Sequence, residues 1–447
     1  MPDSKKILHI TPHLGGGVGR VILNYLAKVK DDRRVSHEVV CLDYANEYAL
    51  ETAPKIGLAL ADKMAGRTPE LLEKIATADI VLIHWWNHPL LYDFLVRSEL
   101  PACRTIMWSH ISGFNPPYVF TKKALCYPDL FVFTTPISYE TREVKALSHE
   151  QKKSLRVVWS TGGVEHVRDV QARPHSGFNV GYIGTVDYCK MHPDFLKLCA
   201  RVNIPGVNFI VCGGPREKEL AAEAERLGIS DKINFTGLVP DIAEYLELFD
   251  VLGYPLAPHH YGTCDQVLSE SMACGVVPVV LANQMETHIV KDGVNGIVAK
   301  NQREYVDAIE RLYHDEKLRA ELAANAREYA LKTFSLDAIE QEWGDVFNEA
   351  LAFPKAVRKW EINIPRPAIS AKDVFLESLG EYSTPFELYC RAENATAKDK
   401  AAEEIKKLLD SPLWQSDTKG SVYHYDSFFH NDKYISAWNN LMRENKS

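Results

Sequence analysis

Two series of short apolar runs, each alternating with segments of helical periodicity, constrain the fold of this chain more than any other feature. The first series has its runs at residues 6–11, 37–42, 79–84, 105–108 and 130–133. The second series has them at residues 179–183, 208–212, 232–235, 251–255 and 276–281. Strands that alternate with helices are typical of parallel sheets with helices on both faces. We therefore predict an α/β protein with two doubly wound, Rossmann-like domains, whose ligands lie beyond the carboxyl ends of the strands.

The border between the two series falls at residues 160–177, which contain glycine and proline and have no sustained apolar period. A chain of 447 residues exceeds the usual size of one hydrophobic core. We predict an N-terminal domain at 1–168, a C-terminal domain at 169–335 and a helix at 336–352 that returns to the first domain. Residues 353–447 are rich in aromatic side chains, so we expect this extension to pack on the first domain or to join copies of the chain in a homo-oligomer.

The composition argues against several classes of protein. A net charge of -9 disfavours binding along a nucleic acid backbone, although a local basic pocket for one diphosphate is compatible with it. The nine cysteines form no CxxC pair and no zinc-type spacing, so we expect reduced thiols and no metal site. Neither a secretory pattern nor an apolar run of about 18 residues is present. These features predict a cytoplasmic protein, with peripheral contact at the inner face of a membrane left open.

A glycine-rich turn lies between the first predicted strand and the first predicted helix, at Gly15, Gly16, Gly17 and Gly19. Glycines at such a turn let backbone N–H groups approach an anion near the helix N-terminus. The spacing matches neither the dinucleotide fingerprint nor a P-loop. Gly16 and Gly17 are therefore candidates for phosphate contacts, and a tight turn with close packing explains them equally well.

Residues 264–280 carry the strongest functional signal in the chain. Asp265 is suited to begin a helix and Gly275 to end it, and the valine-rich run that follows predicts a buried strand. Gln266 and Glu270 share one face of this helix because they are one turn apart. A carboxylate there can accept hydrogen bonds from a ribose diol, while loop amides and the helix N-terminus meet phosphate. A solvated glutamate on a surface helix is the alternative.

This segment resembles the retaining GT-B-fold glycosyltransferases of family four, in which Glu, seven residues and Glu-Ala-Met-Ala-Cys-Gly precede a valine-rich strand. Residues 270–275 read Glu-Ser-Met-Ala-Cys-Gly and match the second half of that motif. The resemblance extends over about residues 6–350 and is weaker in the first half. It implies a GT-B architecture of two Rossmann-like domains that face a cleft. It also implies a nucleotide-diphosphate sugar as co-substrate and no tightly bound cofactor or metal.

The resemblance further implies which residues contact the donor. Lys190 would neutralise the leaving diphosphate, and Glu270 would hold the ribose. His110 lies where the family often has a histidine near the hydroxyls of the transferred sugar. The other donor contacts that it implies are Gly16, Gly17, Gly184, Thr185, Gly213, Leu238, Gly262, Thr263, Cys264, Asp265, Gln266 and Val267.

Two positions depart from the family pattern. The first glutamate of the motif falls on Gly262, and the arginine of the donor-phosphate loop falls on Thr185. Asp265, His259 and His260 are neighbouring candidates to replace the missing carboxylate. A turn cap and exposed imidazoles explain these three residues equally well.

Aromatic and imidazole side chains follow a predicted strand of the first domain at Trp85, Trp86 and His88. Aromatic faces suit sugar rings, so these residues are candidates for an acceptor pocket, and a buried corner is the alternative. We expect a retaining glycosyltransferase that moves a sugar to a glycan or lipid-linked glycan in polysaccharide or glycoconjugate biosynthesis. A catalytically silent sugar-nucleotide or glycan binder remains open, as does another GT-B enzyme such as a phosphorylase or a sugar-nucleotide epimerase.

Overall fold

A computed structural model describes residues 4–260 and 262–443. The chain divides into two compact units. Unit 1 comprises Met1–Ser160 and Glu340–Ser447, and unit 2 comprises Thr161–Ile339. Unit 2 begins at Thr161, before the border predicted at 168, because a residue of the intervening segment forms a hydrogen bond with another residue of unit 2. The carboxylate of Glu165 accepts a hydrogen bond from the backbone N–H of Leu336 at 2.6 Å.

The N-terminal part of unit 1 alternates strands and helices around a parallel sheet. Its strands are β1 (Lys5–Leu14), β2 (Val35–Ala45), β3 (Ala59–Ala61), β4 (Ile80–Trp85), β5 (Glu99–Cys103), β6 (Thr105–Ser109), β7 (Phe114–Asn115), β8 (Tyr118–Val119), β9 (Leu130–Phe133) and β10 (Leu155–Val157). Its helices are α1 (Gly16–Val29), α2 (Glu47–Lys55), α3 (Thr68–Thr77), α4 (Pro89–Arg97), α5 (Lys122–Cys126), α6 (Arg142–Lys145) and α7 (His149–Lys152), with a 3-10 turn at Pro136–Glu140. Seven strands pair in the order β10-β9-β6-β4-β1-β2-β3. Strands β4 and β9 are buried along their whole length, as expected for a sheet covered on both faces.

Unit 2 has a second parallel sheet of six strands. The strands are β11 (Phe178–Ile183), β12 (Val207–Cys212), β13 (Ile233–Gly237), β14 (Val251–Tyr254), β15 (Val277–Leu281) and β16 (Ile297–Ala299). The helices are α8 (Phe195–Arg201), α9 (Glu217–Arg226), α10 (Ala243–Leu246), α11 (Gln266–Ala273), α12 (Glu286–Ile289), α13 (Gln302–His314) and α14 (Glu316–Thr333). The strand order is β13-β12-β11-β14-β15-β16. Together the two sheets confirm the predicted α/β class with two Rossmann-like domains.

The C-terminal segment returns to unit 1 and packs on it. Its elements are α15 (Leu336–Ala352), β17 (Ala356–Lys359), α16 (Ala371–Leu379), α17 (Thr384–Arg391), α18 (Ala395–Lys407), α19 (Val422–Phe429) and α20 (Lys433–Arg443), with 3-10 turns at Arg366–Ala368, Gly380–Ser383, Leu408–Asp410 and Pro412–Gln415. Strand β17 pairs antiparallel with β5. The indole of Trp360 is buried 5.6 Å from the ring of Tyr92, and Trp414, Tyr425 and Trp438 are buried as well. The aromatic residues of the extension therefore form a core with the N-terminal part of the same chain.

No cysteine in the ranges 4–260 and 262–443 forms a disulfide bond. No helix in the described part of the chain combines the length and the apolar character needed to cross a bilayer.

Candidate functional site

Three glycine-containing loops meet at the carboxyl edge of the sheet of unit 2, after β11, β12 and β13. Gly213 has φ +136°, and a Cβ built there would lie 1.8 Å from the carbonyl oxygen of Gly184. The N–H of Gly213 donates a hydrogen bond to the carbonyl of Gly237 at 2.7 Å. Thr185 follows Gly184, and its carbonyl accepts a hydrogen bond from the hydroxyl of Tyr182 at 2.9 Å. The missing side chains allow these backbones to approach each other, which leaves a surface of peptide groups.

Leu238 stands directly after this group of loops. Its side chain is large and apolar, and the residue is 87% exposed. A Cβ on Gly214 would lie 3.9 Å from the Cγ of Leu238, so the leucine adjoins the glycine turn after β12. An apolar side chain exposed to this extent beside a polar loop offers a contact for a flat apolar group.

Lys190 and Asp265 form a nearly buried ion pair in unit 2. The Nζ of Lys190 lies 2.8 Å from Oδ1 of Asp265, and the two side chains are only 11% and 12% exposed. Burial opposes the charge of Asp265, but the charges of Lys190 and His260 and the hydrogen bonds from Lys190 and Tyr254 together outweigh burial and hold the pKa of the carboxyl below its usual value. Lys190 also lies 5.7 Å above the ring centre of Tyr254. Asp265 occupies the N-cap position of α11, yet its side chain makes no capping hydrogen bond and reaches the ammonium instead.

Gly262 adjoins this pair and cannot carry a side chain without displacing it. A Cβ at Gly262 would lie 2.8 Å from Oδ2 of Asp265 and 2.9 Å from Nδ1 of His260. The N–H of Gly262 donates to the same Nδ1 at 3.0 Å. The space in which the family's first glutamate would begin is therefore bordered by the carboxylate of Asp265.

A buried polar cluster extends from Asp265 through His260 to Glu286. The Nε2 of His260 lies 3.1 Å from Oε1 of Glu286, and both side chains are almost completely buried. One potential ligand atom from each of the three residues lies within 4.8 Å of the others, an arrangement that a cation could use. Lys190 already places a positive charge beside Asp265, which opposes a second cation at this point. The sequence analysis predicted no metal site and did not find Glu286.

Helix α11 presents Glu270 from its second turn. The residue is 5% exposed, and its Oε1 lies 3.1 Å from Nε2 of His166. Gly275, with φ +77°, ends the helix as the sequence predicts. The remaining predicted donor contacts at this helix divide into buried and half-buried positions. Cys264 and Val267 are buried, and Thr263 and Gln266 are half-buried.

The glycines in the first turn of unit 1 differ in their surroundings. A Cβ on Gly19 would lie 2.8 Å from the carbonyl carbon of Leu14, so Gly19 is needed for packing of α1 against β1. Gly16 and Gly17 are exposed, and no atom lies within 4 Å of a Cβ built on either residue. Close packing therefore explains Gly19, whereas Gly16 and Gly17 stay predicted phosphate contacts.

His110 lies directly after β6 and is half-buried. Burial, followed by the charge of Lys419, lowers the pKa of His110 to about 3, so the imidazole is neutral near pH 7. Its ring lies 5.9 Å from that of Trp86, and Trp86 lies 5.1 Å from the ring of His13. Aromatic and imidazole rings thus gather at the carboxyl edge of the first sheet.

Trp85 is not part of that group. It is completely buried, and its ring packs against Tyr92, Phe120 and Phe131. The side chain therefore offers no surface to an acceptor, which corrects its predicted place in an acceptor pocket. His88 is also buried, with its ring 4.7 Å from that of His424 in the C-terminal segment.

His166, Glu286 and His424 are three of the polar residues near these sites that sequence reasoning missed. His166 lies in the irregular border segment, Glu286 on the short helix α12, and His424 in the extension. No spacing in the sequence links any of them to its partner, since each contact joins residues far apart in the chain.

The match between this chain and a known protein family lies in unit 2. Residues 164–329 match the family described as glycosyl transferases group 1. Two curated relatives are D-inositol 3-phosphate glycosyltransferases. The one from Stackebrandtia nassauensis is 27% identical over 206 residues, and the one from Mycolicibacterium smegmatis is 29% identical over 224 residues. The matches cover 41% and 47% of this chain and 45% and 48% of the relatives, so the chain spans about half the length of the curated relatives it matches.

Solved structures are similar over both units. Anabaena HepE in complex with UDP has a TM-score of 0.61 and 17% identity, with 77% of this chain and 100% of that chain covered. A glycosyltransferase from Rickettsia africae has a TM-score of 0.64 and 12% identity, with 78% and 99% covered. At these identities the likeness shows the fold. The family match thus concerns residues 164–329, and the likeness to the solved structures shows that the chain has the GT-B fold.

Proposed function

We propose that this protein is a retaining glycosyltransferase that uses a UDP-sugar and no tightly bound metal or cofactor. The observation that carries the proposal is the Lys190–Asp265 pair beside the start of α11. Burying two charges costs several kcal/mol for each ion unless the pairing is close. At a sheet edge that binds no ligand, the free-energy cost of burying these two charges would serve no function. Lys190 is thus held in a dry position from which an ammonium can neutralise a leaving diphosphate.

The other residues of unit 2 complete the donor assignment. The glycine loops at Gly184 and Gly213 meet the diphosphate through backbone N–H groups, and Leu238 contacts the base. Glu270 accepts hydrogen bonds from the ribose diol. HepE, whose fold this chain shares, has been solved with UDP, which favours uracil as the base.

Asp265 takes the place of the missing first glutamate and holds hydroxyls of the donor sugar. A carboxylate next to Gly262 serves this purpose because the glycine leaves room for it. Unit 1 supplies the acceptor side in this proposal, through His110 and Trp86, and the exposed turn at Gly16 and Gly17 contacts the diphosphate. The acceptor is a glycan or a lipid-linked glycan, and the transfer takes place on the cytoplasmic side, at or near a membrane surface.

The proposal is tested by incubating the protein with UDP-, GDP- and ADP-sugars and measuring nucleotide release. We expect release from a UDP-sugar, and Lys190→Met to lower it about 100-fold or more because the leaving charge is no longer neutralised. Lys197→Met is the matched control, since Lys197 pairs with Asp194 on the surface of the same unit. The control variant is expected to stay within about twofold of the wild type.

Other results separate the alternatives. Thermal stabilisation by UDP-sugars without turnover would indicate a silent binder. Release of sugar phosphate that depends on added phosphate would indicate a phosphorylase. The absence of both thermal stabilisation and nucleotide release with every nucleotide sugar tested would contradict the proposal.

A further inference from the structure

Four histidines from neighbouring strands of unit 1 form a continuous line of hydrogen bonds. The Nδ1 of His37 lies 2.9 Å from Nε2 of His9. The Nδ1 of His9 lies 3.0 Å from Nε2 of His84. The Nδ1 of His84 lies 3.1 Å from Nε2 of His110. Each junction joins the δ nitrogen of one ring to the ε nitrogen of the next.

The register of the sheet produces this line. The four residues belong to β2, β1 and β4 and to the end of β6, which are adjacent in the sheet. Each histidine stands two residues from the position opposite its neighbour, so all four side chains project from the same face. Diagonal neighbours at this offset are within reach of large side chains. The line therefore crosses the sheet obliquely, towards its carboxyl edge.

Structure alone gives no reason for imidazoles at these positions. His9 and His84 are each 1% exposed, and such positions in a parallel sheet are usually filled by valine, isoleucine or leucine. Burial lowers the pKa of His9 and of His84 well below the usual value and that of His37 to about 4. All four rings are therefore neutral near pH 7, and each carries one N–H.

Neutral rings joined in this way have two complete arrangements. In the first, every ring carries its proton on Nε2 and donates towards His37. In the second, every ring carries its proton on Nδ1 and donates towards His110. The passage of one proton along the line converts one arrangement into the other. All four rings are neutral again when that passage is complete.

The two ends of the line meet different surroundings. The Nδ1 of His110 is buried and forms no hydrogen bond with any residue in the ranges 4–260 and 262–443. A buried polar atom of this kind calls for a hydrogen-bond partner, such as a water molecule or a bound ligand. His37, at the other end, is half-buried and lines a cavity of about 180 Å³ with Asp32, Arg34 and Glu340. The line thus runs from this buried nitrogen of His110 to a cavity bordered by charged side chains.

We propose that His37, His9, His84 and His110 are a proton relay between the carboxyl edge of the first sheet and this cavity. Its use rests on the proposed function. The hydroxyl of the acceptor sugar loses its proton to Nδ1 of His110 as its oxygen bonds to the anomeric carbon and the bond from that carbon to the diphosphate breaks.

Three proton transfers between neighbouring rings then follow. The Nε2 proton of His110 passes to His84, that of His84 passes to His9, and that of His9 passes to Nδ1 of His37. The Nε2 proton of His37 leaves to water in the cavity. Each ring gains one proton and loses one. The reverse passage restores the first arrangement after the product has left: a proton from water in the cavity enters at Nε2 of His37, and the Nδ1 proton of His110 leaves to water at the carboxyl edge.

The test uses the full chain with ¹⁵N-labelled histidine. The ring protons of His9 and His84 are followed as they exchange with D₂O, in the wild type and in H37Q/H110Q. Glutamine keeps a donor and an acceptor at both ends but cannot pass a proton on, so exchange should slow about tenfold or more, to the rate of local opening. His149→Gln, on the exposed helix α7, is the control. In the transfer assay His9→Gln should lower kcat roughly ten- to a hundredfold and leave the donor KM unchanged.

Exchange in H37Q/H110Q at the wild-type rate would overturn the relay. So would an unchanged kcat for His9→Gln in a preparation that transfers sugar. If no nucleotide sugar is turned over, the proposed function fails, and the exchange rates still decide whether the relay exists.

Discussion

At Gly262 the chain lacks the side chain of the family's first glutamate, and the carboxylate of Asp265 lies beside this position. The sequence left Asp265, His259 and His260 as equal candidates to replace the family's first glutamate. In the structure His259 is exposed and His260 is committed to Glu286, whereas Asp265 pairs with Lys190 next to Gly262. On this ground we propose Asp265 as the replacement. The sequence could not separate the three candidates, because the difference between them depends on where each side chain points and not on spacing.

Asp265→Asn should weaken binding of the UDP-sugar about tenfold, because a charge-assisted hydrogen bond to a sugar hydroxyl is lost. Affinity for UDP alone should not fall, since Lys190 is then released from its partner. Both dissociation constants can be measured by calorimetry, with the exposed Asp231→Asn as the control. An equal loss for UDP and for the UDP-sugar would mean that Asp265 acts on the nucleotide instead.

At the scale of elements, local signals predicted α11 well and could not predict the histidine line. Asp265 and Gly275 mark the two ends of α11, and the strand after it is buried as its valines predict. These signals act within one or two turns of the chain. The contacts of His9 with His37 and His84 depend on the pairing of three strands, which no local pattern specifies.

Buried neutral histidines make the stability of unit 1 depend on pH. His9, His84 and His88 have folded-state pKa values well below the usual value because of burial. Below about pH 6.5 the unfolded chain binds protons that the folded chain does not, so the free energy of unfolding falls as the pH falls. The fall approaches roughly 1.4 kcal/mol per pH unit for each of these rings. Their contribution is complete above about pH 6.5.

Urea denaturation between pH 7.5 and 5 should show this decline. His84→Gln should reduce the slope by about one proton, and His149→Gln should leave it unchanged. A free energy of unfolding that is flat over this interval would contradict the buried, neutral state of these rings.

For the whole molecule, the C-terminal segment completes the unit that the first residues of the chain begin. Composition predicted that its aromatic residues are buried but could not identify the surface that they cover. Trp438 is fully buried against Phe375 and Phe386, and α16 contacts α4 of the N-terminal part. The segment is thus part of the core of unit 1.

Trp438→Ala should lower the free energy of unfolding of unit 1 by about 3–5 kcal/mol, since it leaves a large cavity. UDP affinity at low temperature should stay within about twofold, because the proposed contacts with the base and the ribose lie in unit 2. The half-buried Tyr434→Ala is the control. Denaturant titration and calorimetry test both statements, and a stability equal to that of the wild type would contradict the assigned core.

The most direct test of the account is the affinity of the full chain for UDP with and without the carboxylate of Glu270. Glu270→Gln keeps the size of the side chain and removes the charge that holds the ribose diol. We predict a dissociation constant for UDP about ten- to a hundredfold higher than in the wild type. Glu225→Gln, at an exposed position of α9, should show no change. Equal UDP affinities for Glu270→Gln and the wild type would contradict the claim that unit 2 binds the nucleotide through α11.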